Sequence, residues 1–431
     1  TRSVSSAASD VYKRQHQTVI KIFKMTTDKF ITNKLALTTL IAACLVVLIS
    51  LSVRQVFGMF FMDFNIDLGI SNTEFGLAIG IQMLGWGLSG PIFGAIADKY
   101  GGHKAIMLAF IFYILGVYFL YAGPNTGLYF QISLGVLIGI GCGGTAISIP
   151  MSIVGKHFPL SNRTIAMSLV TATGSFGYFI SPLFTNYSLA NNGWVDTLFY
   201  FIVFLSIGFV IAYFVRSPNE NESSGDSKTN QKQTTIQALS EAFSNKSYLL
   251  LISGFFVCGF HITLVGTHVP KYVIDRGLGD WTAAMILSLI GLFNIFGSLL
   301  SGYLSAKMSK KIILSVIYFL RGISIIAFIF LPPSNISSII FGASFGLLWL
   351  STVPATSGIV AHIFGTRYLG LLYGLVFLSH QIGSFFGAYL GGLFYDIYGS
   401  YDYAWYLAIA LSVFAGLIHL PIKEQAIERL Q

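Results

Sequence analysis

The chain has 431 residues, of which 54% are hydrophobic and only 10% are charged, and its mean hydropathy is +0.73. A typical soluble domain is about 25% charged, so this composition excludes a water-soluble protein. The net charge of +8 would suit a nucleic-acid binder, but the basic residues stand in short loops between apolar runs rather than in one patch. We therefore expect a membrane protein without a nucleic-acid partner.

The start of the chain is set apart from the fold. Residues 1–24 resemble translated adapter sequence, and Met25 is a plausible initiator. A segment of this kind carries no information about the fold. We therefore expect residues 1–24 to be a non-native extension.

Twelve apolar runs follow, and most approach or exceed the roughly 20 residues that cross a hydrocarbon core. They predict an all-α membrane protein with two pseudo-symmetric six-helix bundles, at 25–216 and 248–431, joined by a polar cytoplasmic linker at 217–247. The linker stretch 217–235 is too polar to fold alone. The predicted spans 1 to 12 lie near 35–61, 73–97, 105–122, 127–151, 164–187, 197–215, 248–272, 281–305, 311–331, 336–358, 368–392 and 403–421.

The loops differ in charge on the two sides of the predicted bundle. Loops on the side of both termini are rich in cations, whereas the opposite loops hold mainly acids, with Lys271 and Arg276 as their basic residues. Cation-rich loops stay in the cytoplasm. We therefore expect a multi-pass membrane protein with both termini in the cytoplasm. The cations in question are Lys34, Lys99, Lys104, Lys156, Arg163, Lys307, Lys310, Lys311, Arg367 and Lys423.

The two halves share short sequences. Duplicated halves are typical of transporters, with a substrate site at mid-depth between them. The alternative is chance similarity between glycine-rich apolar segments. Three stretches recur in the same order: PIFGAIADK at 91–99 as LLSGYLSAK at 299–307, IVGKHF at 153–158 as IVAHIF at 359–364, and GSFG at 174–177 as GSFFG at 383–387.

The loop GAIADKYGGHK between spans 2 and 3 resembles the signature loop of the major facilitator superfamily through Gly94, Asp98, Lys99, Gly101 and Lys104. The resemblance implies a cytoplasmic gate in this loop. An acid there could meet the positive N-terminal end of a neighbouring helix. The alternative is that Asp98 is an ordinary loop charge.

Other stretches are similar to the monocarboxylate-carrier-like branch of that superfamily, and specifically to its bacterial YcxA-like members. They are VRQVFGMFF at 53–61, IQMLGWGL at 81–88, the span 7 sequence at 258–278 and the span 11 sequence at 364–387. The resemblance implies twelve helices and a small organic anion as cargo. Carriers of this branch use a span 1 lysine, near whose position Arg54 stands. They also use an Asp/Arg pair in span 8, which this chain lacks; Asn294 and Ser298 are its nearest polar groups there.

Two arginines, Arg54 and Arg321, lie well inside predicted spans, and no Asp or Glu does. An arginine at the centre of a membrane helix costs roughly 2.5 to 3.5 kcal/mol, so it faces a cavity or a partner. The planar guanidinium matches a carboxylate with paired hydrogen bonds. We therefore expect Arg54 to bind the anion, with Arg321 as the weaker candidate. The alternative for both is a bond to main-chain oxygens.

Other polar residues share the mid-depth of their spans. We expect them to line a common cavity, although hydrogen bonds between helices would also explain them. Histidine exchanges protons near neutral pH, so three histidines are proton-coupling candidates, with packing as the alternative. The cavity candidates are Gln82, Tyr178, His261, Asn294, His380 and Gln381. The proton-coupling candidates are His261, His268 and His380.

The sequence thus favours a monomeric secondary transporter that moves a small organic anion, a monocarboxylate, by alternating access with coupled protons. One alternative is an exporter of amphipathic or drug-like compounds, and another is a transporter-like sensor or scaffold. An enzyme is disfavoured because the spans hold no acid pair, metal-ligand cluster or paired nucleophile. Cys44, Cys142 and Cys258 show no ligand spacing, so we expect neither metal nor cofactor.

Overall fold

The structure is a computed structural model that describes residues 34–216 and 233–427, apart from residues 125, 159 and 366. The proposed extension at 1–24 and the linker segment 217–232 lie outside the described residues. Within them the chain is helical and no strand occurs. Eleven helices are long and apolar enough to cross a membrane. One of these, Leu160–Ala212, contains two crossings because Gly193 breaks it with φ 78° and ψ 174°. The predicted twelve-span, all-α fold is therefore confirmed.

The observed spans follow the predicted ones closely. Span 1 comprises Lys34–Gln55, the 3-10 turn Phe57–Phe60 and Phe61–Leu68. Spans 5 and 6 share Leu160–Ala212 on either side of Gly193. The others are span 2 Asn72–Tyr100, span 3 Gly102–Ala122, span 4 Gly127–His157, span 7 Lys246–Asp275, span 8 Asp280–Ser305, span 9 Lys310–Phe330, span 10 Asn335–Phe364, span 11 Leu369–Tyr398 and span 12 Asp402–His419.

Twelve crossings place the two ends of the described chain on one side. We call that side, which bears Lys34 and the chain after His419, the terminal face. The opposite side bears the turns between spans 1 and 2 and between spans 11 and 12, and we call it the distal face.

Span 2 begins at the distal face with a complete capping box. The Ser71 hydroxyl accepts from the Glu74 amide at 3.1 Å, and the Glu74 carboxylate accepts from the Ser71 amide at 2.9 Å. This arrangement satisfies amides that the first helical turn leaves free. The span ends at Gly101, whose φ of 96° is favourable only for glycine.

Spans 4 and 10 are both interrupted, span 4 towards the terminal face and span 10 near its middle. Span 4 breaks between Thr145 and Ser148, and span 10 breaks between Leu348 and Thr352. In each case a proline, Pro150 or Pro354, falls in the first turn of the following helix, where its missing amide leaves no bond unmade. The two halves thus share a structural break as well as sequence.

The end of the predicted linker is helical. Residues Thr235–Ser244 form a helix with a capping box between Thr234 and Gln237. Ala238 and Ala242, one turn apart, are buried, so this segment has an apolar face that the polar composition of 217–235 did not indicate.

The two halves each bury an apolar core and meet along three pairs of spans: 1 with 7, 5 with 8, and 2 with 11. Spans 2 and 11 are closest at the distal face. A methyl group at Gly76 would overlap the main-chain oxygen of Ala388, and one at Gly392 would overlap that of Asn72.

The same two spans diverge towards the terminal face. A methyl group at Gly94 of span 2, or at Gly370 or Gly374 of span 11, would have no atom within 4 Å. Between spans 2 and 11 the boundary is therefore sealed at the distal face and open at the terminal face.

Candidate functional site

Arg54 stands next to the last residue of the first segment of span 1, just before the helix tightens into a 3-10 turn. Its Nη2 lies 2.9 Å from the sulfur of Met83 in span 2, and its Nη1 lies 3.4 Å from Gln55 Oε1. Its Nε, which is buried, has no hydrogen-bond partner. The side chain is partly buried and its partners are neutral, so its donor capacity is only partly used.

The positive charge of Arg54 has no ion-pair partner among the described residues. Within the described residues the ion pairs are Lys156 with Asp98 and Lys271 with Asp275, and both lie at the ends of spans. A guanidinium in a low-dielectric setting gains most from a charged, bidentate acceptor. The arrangement can therefore accept an anion that the protein itself does not supply.

Trp86 of span 2 connects Arg54 to the other half of the molecule. The guanidinium carbon lies 5.6 Å from the centre of the Trp86 ring. The ring in turn packs edge-on against Phe377 of span 11, with centroids 6.1 Å apart. Phe377 stacks on His380 at 5.7 Å with an interplanar angle of 7°. The cation thus lies at one end of a file of rings that crosses the boundary between the halves.

Two glutamines near this boundary keep unused polar atoms. Gln82 is fully buried and donates through Nε2 to the Leu134 oxygen at 3.1 Å, while its Oε1 has no partner. Gln381 is 1% exposed, lies against Gly87, and leaves its Nε2 unpaired. Buried polar groups without partners are costly, so these atoms are available to a ligand.

Arg321 is held by the main chain. It is fully buried, and its Nη2 donates to the oxygens of Leu348 at 2.7 Å and Trp349 at 2.6 Å. These are carbonyls that the break in span 10 releases from helical bonding. Arg321 therefore donates to carbonyls of a broken helix, while its buried Nη1 has no hydrogen-bond partner. Its expected place in an anion site stays a prediction.

Asn294 of span 8 also binds the main chain at the break in span 10. Its Oδ1 accepts from the Leu350 amide at 3.0 Å, and its Nδ2 donates to Ser175 Oγ of span 5 at 2.9 Å. The side chain is 1% exposed. It therefore joins the two halves beside the span 10 break, and its hydrogen bonds are already made.

The three histidines have different surroundings. His261 bonds the Ala408 oxygen at 2.9 Å, in the packing between spans 7 and 12. His268 bonds the Ala388 oxygen at 2.7 Å near the distal face. His380 instead lies 3.1 Å from Gln381 Oε1 through Nδ1. The structure thus brings only His380 of the three to the file of rings at Arg54.

Tyr178 of span 5 is also close to Arg54. It is buried beside Arg54. Gly291 of span 8 packs directly on its backbone. Tyr178 therefore contacts the other half as well as the cation.

The signature loop lies open at the terminal face. The Asp98 carboxylate accepts from Lys156 Nζ of its own half at 3.0 Å, and its side chain is 73% exposed. Lys99 lies over the Tyr100 ring, and Lys104 is exposed. Together with the space beside Gly94, these positions leave the loop free of the second half in this arrangement.

Metal chemistry has no support in the part of the chain that the structure describes. No cluster of three or more His, Cys, Asp or Glu residues occurs there. Cys44, Cys142 and Cys258 are all free thiols, and the last two are buried.

Trp86, Phe377 and Met83 are the site residues that the sequence did not single out. The chain has 5 Trp, 38 Phe and 9 Met, so aromatic or thioether character alone marks nothing. The available signal was position: Met83 and Trp86 lie one helical turn apart, on one face of span 2.

Comparison with known proteins identifies the family. Residues 43–353 match the family model of the Major Facilitator Superfamily. The chain is 23% identical over 373 residues to the MFS-type transporter YcxA of Bacillus subtilis (strain 168), covering 85% of this chain and 89% of that protein. It is 24% identical to the sialic acid transporter NanX of Escherichia coli (strain K12), covering 83% and 86%. It is 25% identical to monocarboxylate transporter 13 of Rattus norvegicus, covering 86% and 85%.

A solved structure shares the fold. The bacterial homologue of the human lysosomal transporter Spinster, in an inward-facing and unoccupied conformation, superposes with a TM-score of 0.73. It is 16% identical, and the match covers 90% of this chain and 97% of that one. With a family match over most of its length and the same twelve-span fold, the chain belongs to the Major Facilitator Superfamily of membrane transporters and is not an enzyme.

Proposed function

We propose that this transporter carries a small organic anion, a monocarboxylate, by alternating access, and that Arg54 is its anion ligand. One observation carries the proposal: a partly buried guanidinium inside a span, at the boundary between the halves, forms no ion pair with any described acid. A cargo carboxylate would supply the missing charge. The relatives named for monocarboxylates and for sialic acid support an acid as cargo.

We propose His380 as the site of a coupled proton. Among His261, His268 and His380, it is the one whose described ring bonds do not include a main-chain oxygen. It also stacks on Phe377, which contacts Trp86 beside the cation. A proton gained there would change the electrostatic potential at the anion site.

We propose that the terminal face is cytoplasmic and that the protein acts as a monomer in the bacterial inner membrane. The support for this orientation is the cation-rich character of the loops on that face. The seal between Gly392 and Asn72 would then close the outer side of the site.

The test is uptake of labelled lactate and pyruvate into proteoliposomes, with and without an inward proton gradient. Arg54→Gln should abolish saturable uptake, and Arg54→Lys should retain part of it because the charge remains. Arg276→Gln is the matched control, since Arg276 bonds Tyr272 and main-chain oxygens at the distal face. Uptake that survives Arg54→Gln would refute the anion site.

The second candidate is export of amphipathic compounds. A shallow, widely open groove runs along the terminal end of span 2; it is formed by this one helix and lined mainly by apolar side chains. A relative of Gibberella fujikuroi is named a fujikurins efflux protein and is 27% identical over 342 residues, covering 77% of this chain and 68% of that protein. Export of apolar dyes that is indifferent to Arg54→Gln would favour this candidate. The groove residues are Pro91, Ile92, Ala95, Ile96, Lys99 and Tyr100.

A further inference from the structure

Asp396, near the end of span 11, is bonded to the start of span 2 in the other half. One carboxylate oxygen accepts from the Thr73 amide at 2.7 Å and from the Thr73 hydroxyl at 2.6 Å. The other accepts from Asn72 Nδ2 at 2.7 Å. An acid of the second half therefore caps a helix of the first, across the boundary that transport must open.

The cap fits the free groups of this helix end. Ser71 already bonds the Glu74 amide, and the Thr73 amide is left for Asp396. The N-terminus of a 29-residue helix carries a positive partial charge that favours an anion. Hydrogen bonds to an ionised acceptor are about twice as strong as neutral ones.

The contact sits where the two spans are pressed together. Gly392, one turn before Asp396, packs against the Asn72 oxygen. Tyr401 of span 12 donates to Asn72 Oδ1 at 3.3 Å, and its own oxygen lies 3.3 Å from His268 Nδ1. The neighbouring Lys271 is occupied by Asp275 and Tyr395, each at 2.8 Å. No cation competes with span 2 for Asp396 in the described ion pairs.

The sequence places a similar acid at the end of both spans. Span 2 ends in Asp98-Lys-Tyr-Gly, and span 11 ends in Asp396-Ile-Tyr-Gly, with each acid two residues before the last helical residue. Both terminal glycines have positive φ, 96° at Gly101 and 69° at Gly399. The two motifs differ in use: Asp396 reaches the opposite half, whereas Asp98 is held by Lys156 of its own half.

We propose that Asp396 is a gating residue of the transport cycle, which holds the distal face closed and must release span 2 whenever the site opens to that face. The inference rests on the alternating access proposed above, but not on the identity of the cargo. Removing the charge should weaken the distal seal and leave the terminal side more often closed.

The test is cysteine labelling of the full chain in vesicles, in a background without Cys44, Cys142 and Cys258. One reporter is Phe385→Cys, which lies against Gly80 inside the distal seal, and the other is Gly374→Cys, which faces open space. In Asp396→Asn the ratio of labelling at 385 to labelling at 374 should rise about tenfold. Asp396→Glu should restore most of the original ratio.

Asp98→Asn is the matched control, because it changes the same residue type in the same motif at the other end. It should not raise the ratio. An unchanged ratio in Asp396→Asn, or an equal rise in Asp98→Asn, would overturn the proposal. No labelling step needs a cargo, so failure of the anion site and failure of this gate are distinguishable.

A second variant keeps the test decisive if Asp396→Asn does not fold. Thr73→Val removes the hydroxyl bond and leaves the amide bond to Asp396. It should shift the ratio in the same direction by a smaller factor. A structural role alone would lower the melting temperature of both variants without changing the ratio, and that result would also overturn the proposal.

Discussion

The Trp86 ring lies 5.6 Å from the guanidinium carbon of Arg54 and 6.1 Å from the Phe377 ring of the other half. A single side chain thus contacts the proposed anion ligand and the boundary that opens and closes. Any movement of span 11 relative to span 2 changes the surroundings of the cation, which gives a physical route from conformational change to anion affinity.

Replacing this ring should weaken anion binding. In Trp86→Ala the cation–π contact, worth on the order of 1 kcal/mol, is lost, so the half-saturating anion concentration should rise about fivefold. Trp86→Phe should retain most of the affinity because an aromatic face remains. Trp281→Ala is the control, since Trp281 is 55% exposed at the distal start of span 8. The measurement is concentration-dependent uptake, and equal effects of the two alanine variants would contradict the prediction.

Substitutions at Arg321 and Arg54 should affect different properties, protein stability in the first case and transport in the second. Arg321→Met leaves the Leu348 and Trp349 oxygens without their donor, which should cost about 3 kcal/mol and lower the melting temperature in detergent. Arg54→Gln removes a side chain with weak neutral partners, so its melting temperature should stay near that of the unaltered protein. A stable Arg321→Met variant would show that the span 10 break does not need this cation.

The sequence predicted the fold well because the bilayer dictates it. Runs of about 20 apolar residues and the repeat between the halves fix the number of spans and their pairing. The scarcity of acids inside the spans likewise pointed to Arg54. The apolar runs, the repeat and the scarcity of acids can all be read from the sequence alone.

The remaining features depend on contacts that composition does not encode. Arg321 and Arg54 look alike in sequence, and only the break at residues 349–351 gives Arg321 its main-chain partners. Asp396 meets Thr73 across a sequence separation of 323 residues. The sequence ranked Arg321 as the weaker candidate, but its main-chain partners could not be predicted before the helices were placed.

A methyl group at Gly392 should open the distal seal. Gly392→Ala would overlap the Asn72 oxygen, so span 11 must move away from span 2. Spin labels at the exposed positions Ile66 and Ile397 should then report a longer distance by pulsed EPR. Gly94→Ala, which enters open space, is the control and should leave that distance unchanged. A Gly392→Ala variant with the original distance would mean that the seal tolerates the added volume.

The chain after span 12 should detach from the second half in acid. The Glu424 carboxylate accepts from the Lys311 amide at 2.6 Å and from Ser309 Oγ at 2.8 Å. Partial burial raises the pKa of Glu424, but these hydrogen bonds outweigh it, so the pKa is lowered below its ordinary value. Docking is therefore fully stabilised above the unfolded pKa of about 4.3 and is lost as pH falls through the lower folded value. A spin label at exposed Gln425 should become mobile only below about pH 4. In Glu424→Gln it should be mobile already at neutral pH, and a label that stays immobile in that variant would refute the role of the carboxylate.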